Sequence, residues 1–125
     1  DWSDQHPGFI EEISCSCRGN VMVTSCFKMF LNPGQLDEYT RRHDALWPEL
    51  SALLKGQGIV DYRIYFDADT DQLIALLSHD GRLSDADLKA APIMQHWWKY
   101  MAELMQTHAN NEPISVPLTC VFTLD

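Results

Sequence analysis

The stretch IVDYRIYFDADTDQLIALLS, Ile59 to Ser78, decides the fold. Ile59 to Phe66 concentrates β-branched and aromatic residues and reads as a strand, Asp67 to Asp71 supplies turn formers, and Gln72 to Ser78 returns as the hairpin partner. Asp80-Gly81 closes the element. Outward on the N-terminal side, Val21 to Leu31 alternates, with Val21, Val23, Phe27, Met29 and Leu31 on one face, and ends at Asn32-Pro33-Gly34. A helix follows, in which Leu36, Tyr39, His43, Leu46/Trp47, Leu50 and Leu53/Leu54 keep a 3.6 period until Gly56 and Gly58. Pro48 removes the hydrogen bond to the Asp44 carbonyl, so a kink or restart is expected near Trp47.

Outward on the C-terminal side, a second helix is expected from Ser84, where Asp87 three residues later resembles a capping box, and Pro92 splits it. The main run, Ile93 to about Thr107, is apolar over a wide stripe that includes Met94, Trp97, Trp98, Met101, Leu104 and Met105. A loop from His108 to Pro113 leads to a last expected strand, Ile114 to Leu124. The order β-α-β-β-α-β is the ferredoxin-like arrangement of an α+β domain, an antiparallel sheet with both helices on one face. The other face is left bare, and Val21, Phe27, Ile64 and Val121 indicate that neither face is fully polar. A second subunit, as in dimeric α+β barrels, or a ligand cavity would satisfy it. Residues 1–20, acidic and broken by His6-Pro7-Gly8 and Arg18-Gly19-Asn20, read as an N-terminal arm, and 21–125 as a single domain.

The 125 residues carry 46% apolar and 22% charged side chains, ordinary values for one globular domain, and no segment has the apolar length of a membrane span. A formal charge of −9 repels phosphates and anionic lipid, so neither nucleic acid nor a membrane is an expected partner. Four cysteines without a preceding secretory segment point to a reduced, cytoplasmic chain. Cys15 and Cys17 lack metal-site spacing and a second ligand pair, and no metal is expected.

Tyr39, His43 and Trp47 recur every four residues, so a helix places them on one stripe with Leu36 and Leu50. A histidine among aromatics is a candidate proton shuttle, although on a core-facing stripe it is more often structural. Trp97 and Trp98 lie about 100° apart on their helix, so one indole is expected toward an edge, lining a pocket or interface. An aromatic wall suits a sugar, whose C–H faces are apolar, and Tyr62 adds a phenol from a strand. His6, His79, His96 and His108 fall at polar or terminal positions and are expected to be solvated. Glu38, Arg41, Arg42, Asp44 and Glu49 are expected to form the wet face of the first helix, the Glu38–Arg42 pair being worth a few tenths of a kcal/mol. There is no Ser-His-Asp motif, phosphate-binding glycine loop or His-Glu-x-x-His run.

The runs EYTRRHDALWPEL (Glu38 to Leu50), DYRIYFD (Asp61 to Asp67), QHWWKYM (Gln95 to Met101) and NNEPISVPLTCVFTLD (Asn110 to Asp125) resemble the L-rhamnose mutarotase family, continuously from about Cys26. The resemblance implies a dimeric ferredoxin-like fold, no cofactor, and interconversion of the α and β anomers of L-rhamnose. It implies His43 as the proton donor and Tyr39, Tyr62, Trp97 and Trp98 as sugar-binding residues. The arm to about Val23 has no counterpart in the family, and Asn110 stands where the family usually has an acid. Two other classes fit parts of the pattern: a cofactor-free oxygenase or isomerase of the same fold, and a non-catalytic sugar-binding domain using the tyrosines and tryptophans without His43.

Overall fold

The computed structural model describes residues 12–17 and 20–124, with side chains from residue 22 onward. Strands β1 (Glu12–Cys17) and β2 (Asn20–Phe30) are followed by helices α1 (Leu36–Asp44) and α2 (Pro48–Gly56). The central hairpin is β3 (Ile59–Asp67) and β4 (Gln72–His79). Helices α3 (Asp85–Ala90) and α4 (Pro92–Met101), a 3-10 turn at Ala102–Leu104 and the short β5 (Val116–Pro117) complete the chain. All pairings are antiparallel, in the order β1-β2-β4-β3, with β5 also on β2. The α+β, ferredoxin-like architecture expected from the sequence is thus present.

The hairpin turn is built locally. The Asp67 carboxylate accepts from the Asp69 N–H at 3.0 Å and the Thr70 hydroxyl at 2.9 Å, and Asp71 sits at φ 58°. On β4, Leu73, Ala75, Leu77 and His79 are buried, and their register brings Phe27, Met29, Ser25 and Ile64 to the same, helix-covered face. Phe27 and Ile64 therefore belong to the core side; the bare face instead carries the half-buried Cys26, Phe30, Ile74 and Leu76. His79 is 1% exposed, not solvated: it continues the period-2 series of β4 one residue past the expected strand end, and its Nδ1 accepts from the Gly81 N–H at 3.1 Å. His96 and His108 are exposed, and His6 lies outside the described residues.

Of the kink or restart expected near Trp47, the restart is what forms, giving two helices. Pro48 occupies the first position of α2, and Trp47, restricted by the proline that follows it, is extended at φ −63° and ψ 130°. Pro92 likewise opens α4, while Ser84 caps α3 by accepting from the Asp87 N–H at 3.2 Å.

The last strand is shorter than expected. Val116 and Pro117 pair with Lys28 and Phe27, and the Leu118 N–H reaches the Cys26 carbonyl at 2.8 Å. The next position on that edge, Ser25, is already paired with Glu12 of β1, so residues 119–124 have no edge left to join and Val121, Phe122 and Leu124 are exposed. Glu12–Cys17 falls within the segment read as an arm; residues 1–11, 18 and 19 of that segment lie outside the described residues.

Candidate active site

Between the helices and the sheet lies a cavity of about 570 Å³, within the roughly 300–1,000 Å³ usual for small-molecule sites. Tyr39, His43, Tyr62, Trp97 and Trp98 all line it, joining α1, β3 and α4 at one place. Its wall is mostly apolar, with Thr40, Asp44, Ser51, Lys55 and Asp61 among the polar residues around it. The cavity is on the helix side of the sheet, so it does not account for the bare face.

α1 delivers its two groups one turn apart. The His43 ring stacks on the Tyr39 ring with centroids 4.3 Å apart, and Trp97 meets it edge-on at 5.3 Å and 87°. His43 Nδ1 lies 3.0 Å from the Tyr39 carbonyl oxygen. A carbonyl only accepts, so Nδ1 carries the hydrogen, and the neutral ring keeps its lone pair on Nε2. Burial lowers the pKa of His43 below the usual imidazole range, opposed by the Tyr39 carbonyl and the nearby Asp44 carboxylate, which raise it. The resting ring at neutral pH is a base with a fixed tautomer.

The two phenols are poor bases. Burial pushes the Tyr39 hydroxyl far above its ordinary range, and the neighbouring Tyr62 phenol adds to the rise. Tyr62 stands at the edge strand with 37% of its surface exposed, yet enough protein surrounds it to push its hydroxyl up to about 12. Both remain hydrogen-bond donors at any physiological pH. Trp97 and Trp98 are both buried and both line the cavity, as expected of an indole at the edge of its stripe.

Two contributors escaped the sequence reading. Tyr100, three residues after Trp97 and therefore on the same side of α4, stacks on Trp47 at 5.3 Å, and Trp47 meets Trp97 at 5.1 Å, extending the aromatic cluster behind the cavity. Arg42, expected on the wet face, is buried between α1 and the end of α4. Its spacing of three from Tyr39 was the available signal. Among the described residues, no group of three or more His, Cys, Asp or Glu side chains is placed to hold a metal ion, and no helix is long and apolar enough to cross a membrane.

Residues 24–124 match the family model described as L-rhamnose mutarotase. Among similar proteins, the L-rhamnose mutarotase of Sinorhizobium fredii is 52% identical over 103 residues, covering 82% of this chain and 99% of its own. That of Bacteroides thetaiotaomicron is 45% identical over 104 residues, covering 83% and 100%. The crystal structure of an L-rhamnose mutarotase from Formosa agariphila superposes with a TM-score of 0.76 at 42% identity, over 82% of this chain and 98% of that one. A Nitrosomonas europaea protein named for antibiotic biosynthesis monooxygenases, at 13% identity and TM-score 0.53 over 86% and 97% of the two chains, shares the fold alone. With the matched range spanning the whole segment that builds the cavity, the chain belongs to the L-rhamnose mutarotase family.

Proposed function

We propose that this protein interconverts the α and β anomers of L-rhamnose, with His43 moving the proton. The observation that carries the reading is the imidazole itself: neutral at rest, with its tautomer fixed by the Tyr39 carbonyl, on the wall of an aromatic cavity. Ring opening of a pyranose needs one proton taken from the anomeric hydroxyl and one given to the ring oxygen, while the bond from C1 to the ring oxygen breaks. Both oxygens sit on C1, so one nitrogen reaches both. Nε2 of His43 accepts the anomeric proton and returns it to the ring oxygen, leaving an aldehyde at C1 and a hydroxyl at C5. Rotation about C1–C2 turns the other carbonyl face to that hydroxyl, and the reverse transfer closes the ring. No atom or electron is gained or lost.

Positioned proton transfer supplies roughly 10²–10⁴-fold, a scale suited to a reaction that sugars already undergo slowly in water. Tyr39 and Tyr62 serve as donors to sugar hydroxyls, since their raised pKa values disfavour proton acceptance. Trp97 and Trp98 offer apolar surface to the C–H face and the C6 methyl of a deoxyhexose. In the same reading the protein is a cytoplasmic homodimer, consistent with the free thiols of Cys26 and Cys120 and with the apolar Ile74, Leu76, Val121 and Phe122 left on the bare sheet face and the tail. The deciding experiment is magnetisation-exchange NMR between the two anomer signals of L-rhamnose. The parent protein is expected to accelerate exchange and the His43→Ala variant to abolish it; equal exchange in both overturns the assignment of His43.

A further inference from the structure

Arg42 is the only buried Lys or Arg among the described residues, its side chain 9% exposed, and it precedes His43 in the chain. Its guanidinium makes three directed bonds. Nε donates to the Glu38 carboxylate at 2.7 Å, Nη1 to the Tyr100 carbonyl at 2.5 Å, and Nη2 to the Glu103 carboxylate at 2.6 Å. The same group lies over the Tyr100 ring, 4.2 Å from its centroid. One planar fork thus ties α1 to the last turn of α4 and to the 3-10 turn beyond it, where unpaired carbonyls favour a cation.

α1 is held in two ways: the buried Tyr39 and the half-buried Leu36 pack on the core, and Arg42 supplies the directional anchor. The helix is nine residues long and lacks a side-chain cap at its N-terminus. A helix of that length is not stable by itself, so side-chain anchors set its position. The anchor lies beside the reacting group: Tyr100 is one turn from Trp97, and Trp97 faces the His43 ring.

We propose that Arg42 is a positioning residue, setting the height and tilt of α1 on α4 and so the approach of the His43 imidazole to Trp97 and the cavity. It acts through His43, and this role rests on the reading of His43 as the proton-transfer group. Lysine is not a substitute, because a point ammonium neither stacks on Tyr100 nor presents a planar fork to three acceptors.

The test is Arg42→Lys in the full chain, which keeps the charge beside His43 and removes the fork. Two quantities are read: the midpoint of His43 titration, from imidazole C–H shifts without sugar, and kcat and KM for anomer exchange. Loosening α1 admits water to the ring, so the midpoint is expected to rise toward 6.5. kcat is expected to fall about 10- to 100-fold, as for a misplaced catalytic group, with KM changing less than about threefold. A variant that keeps the parent's His43 midpoint and kcat overturns the proposal, as does one that loses stability while both stay unmoved. If Arg42→Lys fails to fold, Glu103→Ala removes one arm through a largely exposed carboxylate, and both quantities are expected to move in the same directions; no movement overturns the proposal. Failure of the underlying reading shows separately, as undiminished exchange by His43→Ala, and leaves the titration readout intact.

Discussion

Trp47 meets Trp97 edge to face, with centroids 5.1 Å apart and planes at 86°, across the break that Pro48 makes between α1 and α2. The extended backbone of Trp47 keeps its indole against α4, where it also stacks on Tyr100. The cavity wall is therefore backed by a residue that belongs to neither helix of the α1–α2 pair. Trp47→Leu retains apolar bulk but loses both ring contacts, and about 1–3 kcal/mol of stability is expected to go with them. Urea denaturation measures it. A variant within about 0.5 kcal/mol of the parent, the range of an ordinary surface change, would show that the contact contributes nothing.

The same break illustrates which features were legible in the sequence. Element order, the central hairpin, the Ser84 cap and the Pro92 start are written in local chemistry: turn formers, a hydroxyl before a helix, prolines where a helix must begin. The five cavity residues were legible by different signals: Tyr39 and His43 by four-residue helical spacing, Trp97 and Trp98 as adjacent indoles on one helix, and Tyr62 as a phenol on a strand. Arg42 and His79 were not, since burial of a polar side chain depends on partners distant in sequence: Tyr100 and Glu103 for one, the strand neighbours Val23 and Ile59 for the other. Residues 114–124 alternate like a strand, yet only Val116 and Pro117 become one, because β1 already occupies the edge at Ser25. Edge occupancy is a property of the assembled sheet and leaves no mark on the segment excluded from it.

Gly58 joins α2 to β3 at φ +90°, and a Cβ there would collide with the Asp80 carboxylate. The Gly58 carbonyl also accepts from the Asp80 N–H at 3.0 Å, so the collision falls on a turn that holds the start of β3 against the end of β4. Gly58→Ala is expected to cost about 2–3 kcal/mol, combining a left-handed backbone with a displaced neighbour. Gly81, at φ +96° but with open space around it, separates the two causes. Gly81→Ala should cost about 1 kcal/mol from backbone strain alone. Equal losses for the two variants, compared by thermal unfolding, would remove the collision from the account.

Tyr39→Phe tests the phenol as a donor. The ring stack on His43 and the carbonyl that fixes its tautomer both survive the substitution. Only a hydrogen bond to the sugar is lost, so KM should rise roughly 2- to 10-fold with kcat nearly unchanged. A fall in kcat with KM unmoved would instead make the hydroxyl a partner in proton transfer.

The lowered pKa of His43 predicts how exchange and stability respond to acid. The folded imidazole titrates below the unfolded value of about 6.5, so in the interval between them the unfolded chain binds the proton first. Stability from this group is complete above about 6.5 and is lost as pH falls toward the folded value. The base form at Nε2 survives over the same interval, so kcat/KM should hold through pH 6.5 and decline only below it. At lower pH a second loss is expected. Hydrogen bonds from Arg41 and then Arg42 hold Glu38 down to about 2, so the stabilisation from that carboxylate disappears as pH falls from the ordinary glutamate range toward 2. Magnetisation exchange across pH 5 to 8, with imidazole shifts recorded on the same samples, checks the first window. A kinetic midpoint at or above about 6.5, or one that fails to track the His43 titration, would mean that another group governs the acid limb.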